Sequence, residues 1–187
     1  MIETINQWDT QLFLFLNGLH SPCWDNVMWE ISGKLTWLPL YLILLGYIIY
    51  RFRWRSLLIM GFIALLITLA DQFSVHLFKE VFMRLRPCHN PEIADMVHLV
   101  NNHCGGQYGF VSSHAANTFA IASFTSFLLR RRWYGIFIFT WAAVVSYSRI
   151  YLGVHYPGDI LGGALLGFLL GFLLILAYRY AEKLIYK

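Results

Sequence analysis

Long apolar stretches, each interrupted by a short arginine run or a polar loop, set the pattern of the chain. Residues 5–18 carry Ile5, Trp8, Leu12, Phe13, Phe15 and Leu16, broken by Asp9, Gln11 and Asn17. A crossing helix needs about 20 mostly apolar residues, so this segment predicts an interfacial or half-inserted helix. Asp25 to about Tyr50 reads as the first firm span, with Gly33, Lys34 and Pro39 marking an irregular outer part. Ser56–Phe78 reads as the second. A polar stretch rich in Pro, Asn, His, Gly and Cys then predicts a solvent-side loop over 79–112. His114–Leu129 and Trp133–Tyr147 read as a short antiparallel pair, and Ile160–Tyr180 as the last span. Its Gly163, Gly167 and Gly171 recur every four residues, a smooth stripe suited to close helix packing.

This pattern predicts an all-α, polytopic transmembrane helical bundle of about five firm spans plus the N-terminal helix. Composition sharpens the picture: 187 residues, 58% hydrophobic and 13% charged, are too apolar for an ordinary soluble protein. The length suits one integral membrane domain over 1–187. No cleavable signal peptide is expected, because residues 1–20 lack a basic start and a small-residue cleavage site. Seven Trp suit bilayer interfaces.

Charge then orients the bundle. Arg51, Arg53 and Arg55 separate the first two spans; Arg130, Arg131 and Arg132 separate the next two; Arg179, Lys183 and Lys187 follow the last. Alternation puts all three groups on one face, which the positive-inside rule assigns to the cytoplasm. The small net charge of +4 falls in these clusters, so it signals topology and no nucleic-acid partner is expected. The 79–112 loop and the 148–159 connection share the opposite, outer face.

Candidate chemistry collects on that outer face. Lys79 and Arg86 are seven apart, so a continuing helix would point both one way, while Pro87 turns the chain at Arg86. Val111–Ser112–Ser113–His114 precedes an apolar helix. Ser112 or Ser113 is a natural N-cap, and the first-turn amides make an anion site beside His114. In Ser148–Arg149 … His155–Tyr156–Pro157–Gly158–Asp159, Arg149 offers a planar fork for phosphate oxygens. Asp159, four residues after His155, can hold the imidazole tautomer. Pro157 suits a helix's first turn.

Other polar residues carry plainer readings. Asp71 and His76 lie in or near the second span, and His76, three residues before Lys79, is a candidate support for it. His89, His98, His103, Cys88 and Cys104 match no zinc spacing, so no metal site is expected. An oxidising outer face would favour a Cys88–Cys104 disulfide, leaving Cys23 unpaired.

Taken together, the motifs resemble the type 2 phosphatidic acid phosphatase superfamily, the lipid phosphate phosphatases, whose patterns read K-x6-R-P, P-S-G-H and S-R-x5-H-x3-D. Lys79, Arg86 and Pro87 match the first; Ser148, Arg149, His155 and Asp159 match the third with spacing intact. The second matches at Ser112 and His114, with Val111 for Pro and Ser113 for Gly. The resemblance implies a membrane enzyme without cofactor or metal. His155 would attack phosphorus, Asp159 orient it, and His114 protonate the leaving oxygen. Lys79, Arg86, Arg149 and the Ser112–Ser113 amides would hold the phosphoryl oxygens. It implies a lipid phosphate partner drawn from the bilayer: undecaprenyl diphosphate, phosphatidylglycerol phosphate, phosphatidic acid or a lipid A phosphate. A bacterial inner membrane with an outward, periplasmic site fits this reading. A vanadium haloperoxidase-like site is disfavoured by the five spans. A membrane binding or transport protein for phosphorylated lipids is the alternative. Oligomeric state stays open.

Overall fold

Every apolar stretch becomes helical in the computed structural model, which describes residues 2–186. Eight α-helices follow in order: α1 Ile2–Gly18, α2 Pro22–Ser32, α3 Leu38–Phe52, α4 Ser56–Gln72, α5 Glu80–Phe82, α6 Ser113–Leu129, α7 Arg132–Tyr151 and α8 Pro157–Ile185. A π-helical stretch, Phe73–Lys79, joins α4 to the single turn of α5. Two helical stretches, Leu38–Phe82 and Pro157–Ile185, are long and apolar enough to cross a membrane.

The expected first span over Asp25–Tyr50 is not one helix. Gly33 adopts extended geometry (φ −66°, ψ 134°), and the Trp37 indole N–H donates to the Ile31 carbonyl across the break at 2.7 Å. Pro39 sits in the first turn of α3, where its missing N–H costs nothing. The polar half thus becomes α2, packed against α7, and the apolar half becomes α3. At Arg53 (φ 50°) the chain reverses. Residues before and after the reversal, Trp37 and Ile48 on one side of it and Met60 and Asp71 on the other, line one shared cavity.

The core centres on α6, which packs on α8, α7 and α4. The α6–α8 seam relies on small residues and close backbones, a packing that does not need a hydrophobic drive between helices. The expected glycine stripe lies there. A Cβ on Gly171 would come 2.8 Å from the Ser123 Cβ, and one on Gly163 would come 3.0 Å from the Ala115 Cβ. Ser123 Oγ donates to the Phe168 carbonyl at 3.0 Å, tying the seam by a hydrogen bond. Around it Ile59, Leu66, Phe124, Ile175 and Tyr178 are buried as one cluster.

Side-chain ties separate the two ends of the bundle. Arg55 pairs with Glu182 at 3.2 Å and Arg179 donates to the Phe127 carbonyl at 2.7 Å. The Arg51–Arg55 turn, the α6–α7 turn and the end of α8 therefore share one end, as the charge pattern predicts. Lys187 lies outside the described residues. At the opposite end α1 is clasped by Asn17, whose amide donates to the His98, Ile150 and Tyr151 carbonyls. Cys88 and Cys104 form a disulfide in the loop there.

Candidate active site

The stretch before Pro87 is set by backbone pairing. Met83 adopts left-handed geometry (φ 45°) and stops α5. Residues 84–86 then run extended against 107–109, with Arg86 N–H donating to the Gln107 carbonyl (3.1 Å) and Gly109 N–H to the Arg84 carbonyl (2.8 Å). Side chains alternate along an extended segment, so Arg84 and Arg86 point to one face. Arg86 is extended as Pro87 demands (φ −67°, ψ 156°). Lys79 and Arg86 therefore converge through this fold-back; the helical two-turn spacing expected for them is broken at Met83.

Ser112 is the N-cap of α6, its hydroxyl accepting from the Ala115 N–H. Its own N–H donates to the Asp159 carbonyl at 3.0 Å, binding the start of α6 to that of α8. This corrects one expectation: the Ser112 amide is committed to protein, which leaves the first-turn amides after it as the candidate anion donors. Ser113 carries a hydroxyl where the resembled pattern has glycine. That hydroxyl accepts from Lys79 Nζ at 2.7 Å and meets Ser74 Oγ at 2.7 Å, so it anchors the lysine.

Past α7 the chain turns through Gly153 (φ 78°), where a Cβ would strike the His98 carbonyl at 2.7 Å, so only glycine fits. The turn delivers His155 into the interior, 1% exposed. His155 Nδ1 lies 3.2 Å from Asp159 Oδ2, and Nε2 lies 3.3 Å from Arg86 Nη1. Asp159, fully buried, also accepts the Tyr156 N–H at 3.1 Å and Arg84 Nη1 at 3.0 Å. With the imidazole proton given to Asp159, Nε2 keeps its lone pair. Burial, then the charges of Arg86, Arg149 and Lys79, hold the His155 imidazole well below its usual range, so it stands neutral.

Arg149 Nη1 bonds Ser32 Oγ, and its buried Nε has no protein partner; the Nε of Arg86 is likewise unpartnered. A cavity of about 600 Å³ opens beside His114 and Ser113 and runs between α3 and α4, walled by Trp37, Tyr41, Ile63 and Ile67.

The fold thus brings together Lys79, Arg86, Ser112, Ser113, His114, Arg149, His155 and Asp159. Ser148 does not join them: its hydroxyl donates to the Val145 carbonyl inside α7. Nor does His76 support Lys79; it is exposed and bonds Glu80 at 2.9 Å. Sequence reasoning passed over Arg84, Gly109 and Asp9. A Cβ on Gly109 would sit 2.9 Å from Asp159 Oδ2, so that glycine is what lets the loop close on the carboxylate. Alternation with Arg86 was the signal for Arg84.

A buried histidine–carboxylate pair with three cations gathered about it, at one end of an apolar helical bundle, has the charge arrangement that phosphoryl chemistry calls for. The family model described as PAP2 superfamily matches residues 56–183, and the chain belongs to that family. It is 47% identical to a lipid A 4′-phosphatase of Bacteroides thetaiotaomicron, over 98% of this chain and 83% of the relative. It is 38% identical to a lipid A 4′-phosphatase of Porphyromonas gingivalis, over 97% of this chain and 77% of the relative. Among solved structures, it resembles the transmembrane PAP2-type phosphatidylglycerolphosphate phosphatase of Bacillus subtilis. There the TM-score is 0.66 at 27% identity, over 97% of this chain and 88% of that one. The fold also matches Aquifex aeolicus LpxE (TM-score 0.64, 22% identity, 89% and 93% covered). The chain is a lipid phosphatase, a hydrolase of phosphoric esters.

Proposed function

We propose that this protein removes a phosphate from a lipid A-type glycolipid through a phosphohistidine formed on His155, at the outer face of a bacterial inner membrane. The observation that carries the reading is buried His155 held by Asp159 at Nδ1 and by the Arg86 guanidinium at Nε2, with Lys79 and Arg149 adding positive charge around it. Nε2 attacks phosphorus as the bond to the lipid oxygen breaks, and His114 gives that oxygen its proton. Water then attacks phosphorus, the phosphorus–nitrogen bond breaks, and His114 takes the water's proton. Lys79, Arg86, Arg149 and the first-turn amides of α6 hold the phosphoryl oxygens, whose charge such a transition state spreads. These cations take the part that a divalent ion plays in other phosphoryl transferases.

The lipid A reading is favoured by the two relatives that align over nearly the whole chain. The cavity between α3 and α4 suits an acyl chain reaching the site from the bilayer. In this reading the whole chain is one membrane domain; α3, α4, α6, α7 and α8 cross the bilayer and α1 lies at the outer interface. The exposed arginines of the far end face the cytoplasm.

Purified protein in detergent and EDTA, given lipid A bisphosphate, phosphatidylglycerol phosphate, phosphatidic acid and undecaprenyl diphosphate, tests this. Phosphate release should be fastest from lipid A, survive EDTA and fall at least about 10³-fold in His155→Ala. Acid-labile, alkali-stable labelling of the wild type alone would support the covalent step. Release undiminished in His155→Ala would refute the mechanism.

A further inference from the structure

Arg84 stands in no motif of the site, yet it holds the carboxylate that holds His155. Its guanidinium carbon lies over the Tyr156 ring, 4.1 Å from the centroid, and Nη1 donates to Asp159 Oδ1 at 3.0 Å. The other fork nitrogen, Nη2, donates to Asp9 Oδ2 at 2.7 Å. Asp9 belongs to α1, and its second oxygen accepts the Gly158 N–H at 2.8 Å, one residue before Asp159. Asp9 therefore grips both the arginine and the first turn of the helix that carries the carboxylate.

We infer that Asp9 and Arg84 act as a positioning pair for Asp159, making the N-terminal helix part of the enzyme's working apparatus. The inference rests on the reading of His155 and Asp159 as the reacting pair. Three observations favour positioning over phosphate binding. Both fork nitrogens of Arg84 are already spent on carboxylates, in a planar arrangement that lysine's single ammonium could not copy. Asp9 balances the Arg84 charge, whereas Lys79, Arg86 and Arg149 have no carboxylate within ion-pair distance among the described residues. Arg84 also satisfies Oδ1 of a fully buried carboxylate, which would otherwise lack a donor and leave Asp159 free to swing from His155. The inward face of α1 shows why Asp9 is polar in an apolar helix: Asp9, Phe13 and Asn17 meet the protein, while Trp8, Leu12 and Phe15 face outward.

The test measures kcat and KM on lipid A bisphosphate micelles with the full chain. The inhibition constant of inorganic phosphate and the unfolding midpoint are read on the same samples. Arg84→Gln should lower kcat about 10- to 100-fold, as loss of a supporting partner behind a reactive ligand does elsewhere, with the phosphate constant within about threefold. Asp9→Asn should cost less, and the double variant should be no worse than Arg84→Gln, because both act through one carboxylate. Arg84→Lys should recover only part of the loss. An Arg84→Gln enzyme with wild-type kcat overturns the inference, and so does a fall in phosphate affinity that matches the fall in kcat. Should Arg84→Gln fail to fold, wild-type kcat in both Arg84→Lys and Asp9→Asn would overturn it. A His155→Ala control separates the two ideas: activity there refutes the phosphohistidine reading itself.

Discussion

Two sets of cations sit at opposite ends of one bundle in opposite circumstances. At one end Arg51, Arg53, Arg55 and Arg130–Arg132 are exposed, and Arg55 has Glu182 beside it. At the other, Arg86 is 9% exposed, and Lys79 and Arg149 are partly buried with no ion-pair partner among the described residues. Charges left in water cost little and anchor orientation. Like charges gathered out of water are costly, and each would be better placed apart. In the proposed function an arriving phosphate completes the set, while burial and the same field keep His155 neutral.

This contrast can be broken most sharply by deleting one cation from each end. Arg149→Ala should lose about 10²–10³ in kcat, the usual cost of removing one preorganised donor. Arg131→Ala, measured in the same phosphate-release assay, should stay near wild type; equal losses would erase the distinction.

Adding the missing anion is the next test. Inorganic phosphate should raise the unfolding midpoint, by about 2.7 kcal/mol of stabilisation at 100 times its dissociation constant. Arg86→Ala should abolish the gain, while Arg131→Ala should keep it. Thermal melts across a phosphate titration decide this.

Acid should expose the buried set too. His155 binds its proton more weakly folded than unfolded, and the unfolded imidazole titrates near 6.5. Between the two values the unfolded chain carries more protons, so the penalty is absent above about pH 6.5 and grows as pH falls. The wild type should therefore lose more of its melting midpoint between pH 7.5 and 5 than His155→Gln does. Parallel curves would contradict a neutral, buried His155.

The smallest effect belongs to the solvated end. Arg55→Ala removes the exposed pair with Glu182 and should cost no more than about 1 kcal/mol, with activity intact. A larger loss in a denaturation series would show that this end also stores electrostatic energy.

Much of the site was legible from sequence because its parts are local. Ser112 caps α6, Pro87 straightens Arg86, and His155 meets Asp159 four residues on, all consequences of short-range geometry. The glycine stripe of α8 marked by its period a face for close helix packing, though not that α6 would fill it. The break at Gly33–Trp37 was seen only as irregularity, because apolar pattern alone does not say whether a helix bends or ends.

The sequence by itself determined the helical class, most of the helices, and the gathering of the candidate site residues at one end of the bundle. Periodicity, arginine placement and motif spacing all act within a few turns of chain. Only the tertiary structure decided that Ser113 holds Lys79, that the Ser112 amide is spent on Asp159, and that Asp9 reaches Arg84 across 75 residues. Those choices are made by side chains meeting across elements, where distance along the chain carries no information about distance in space.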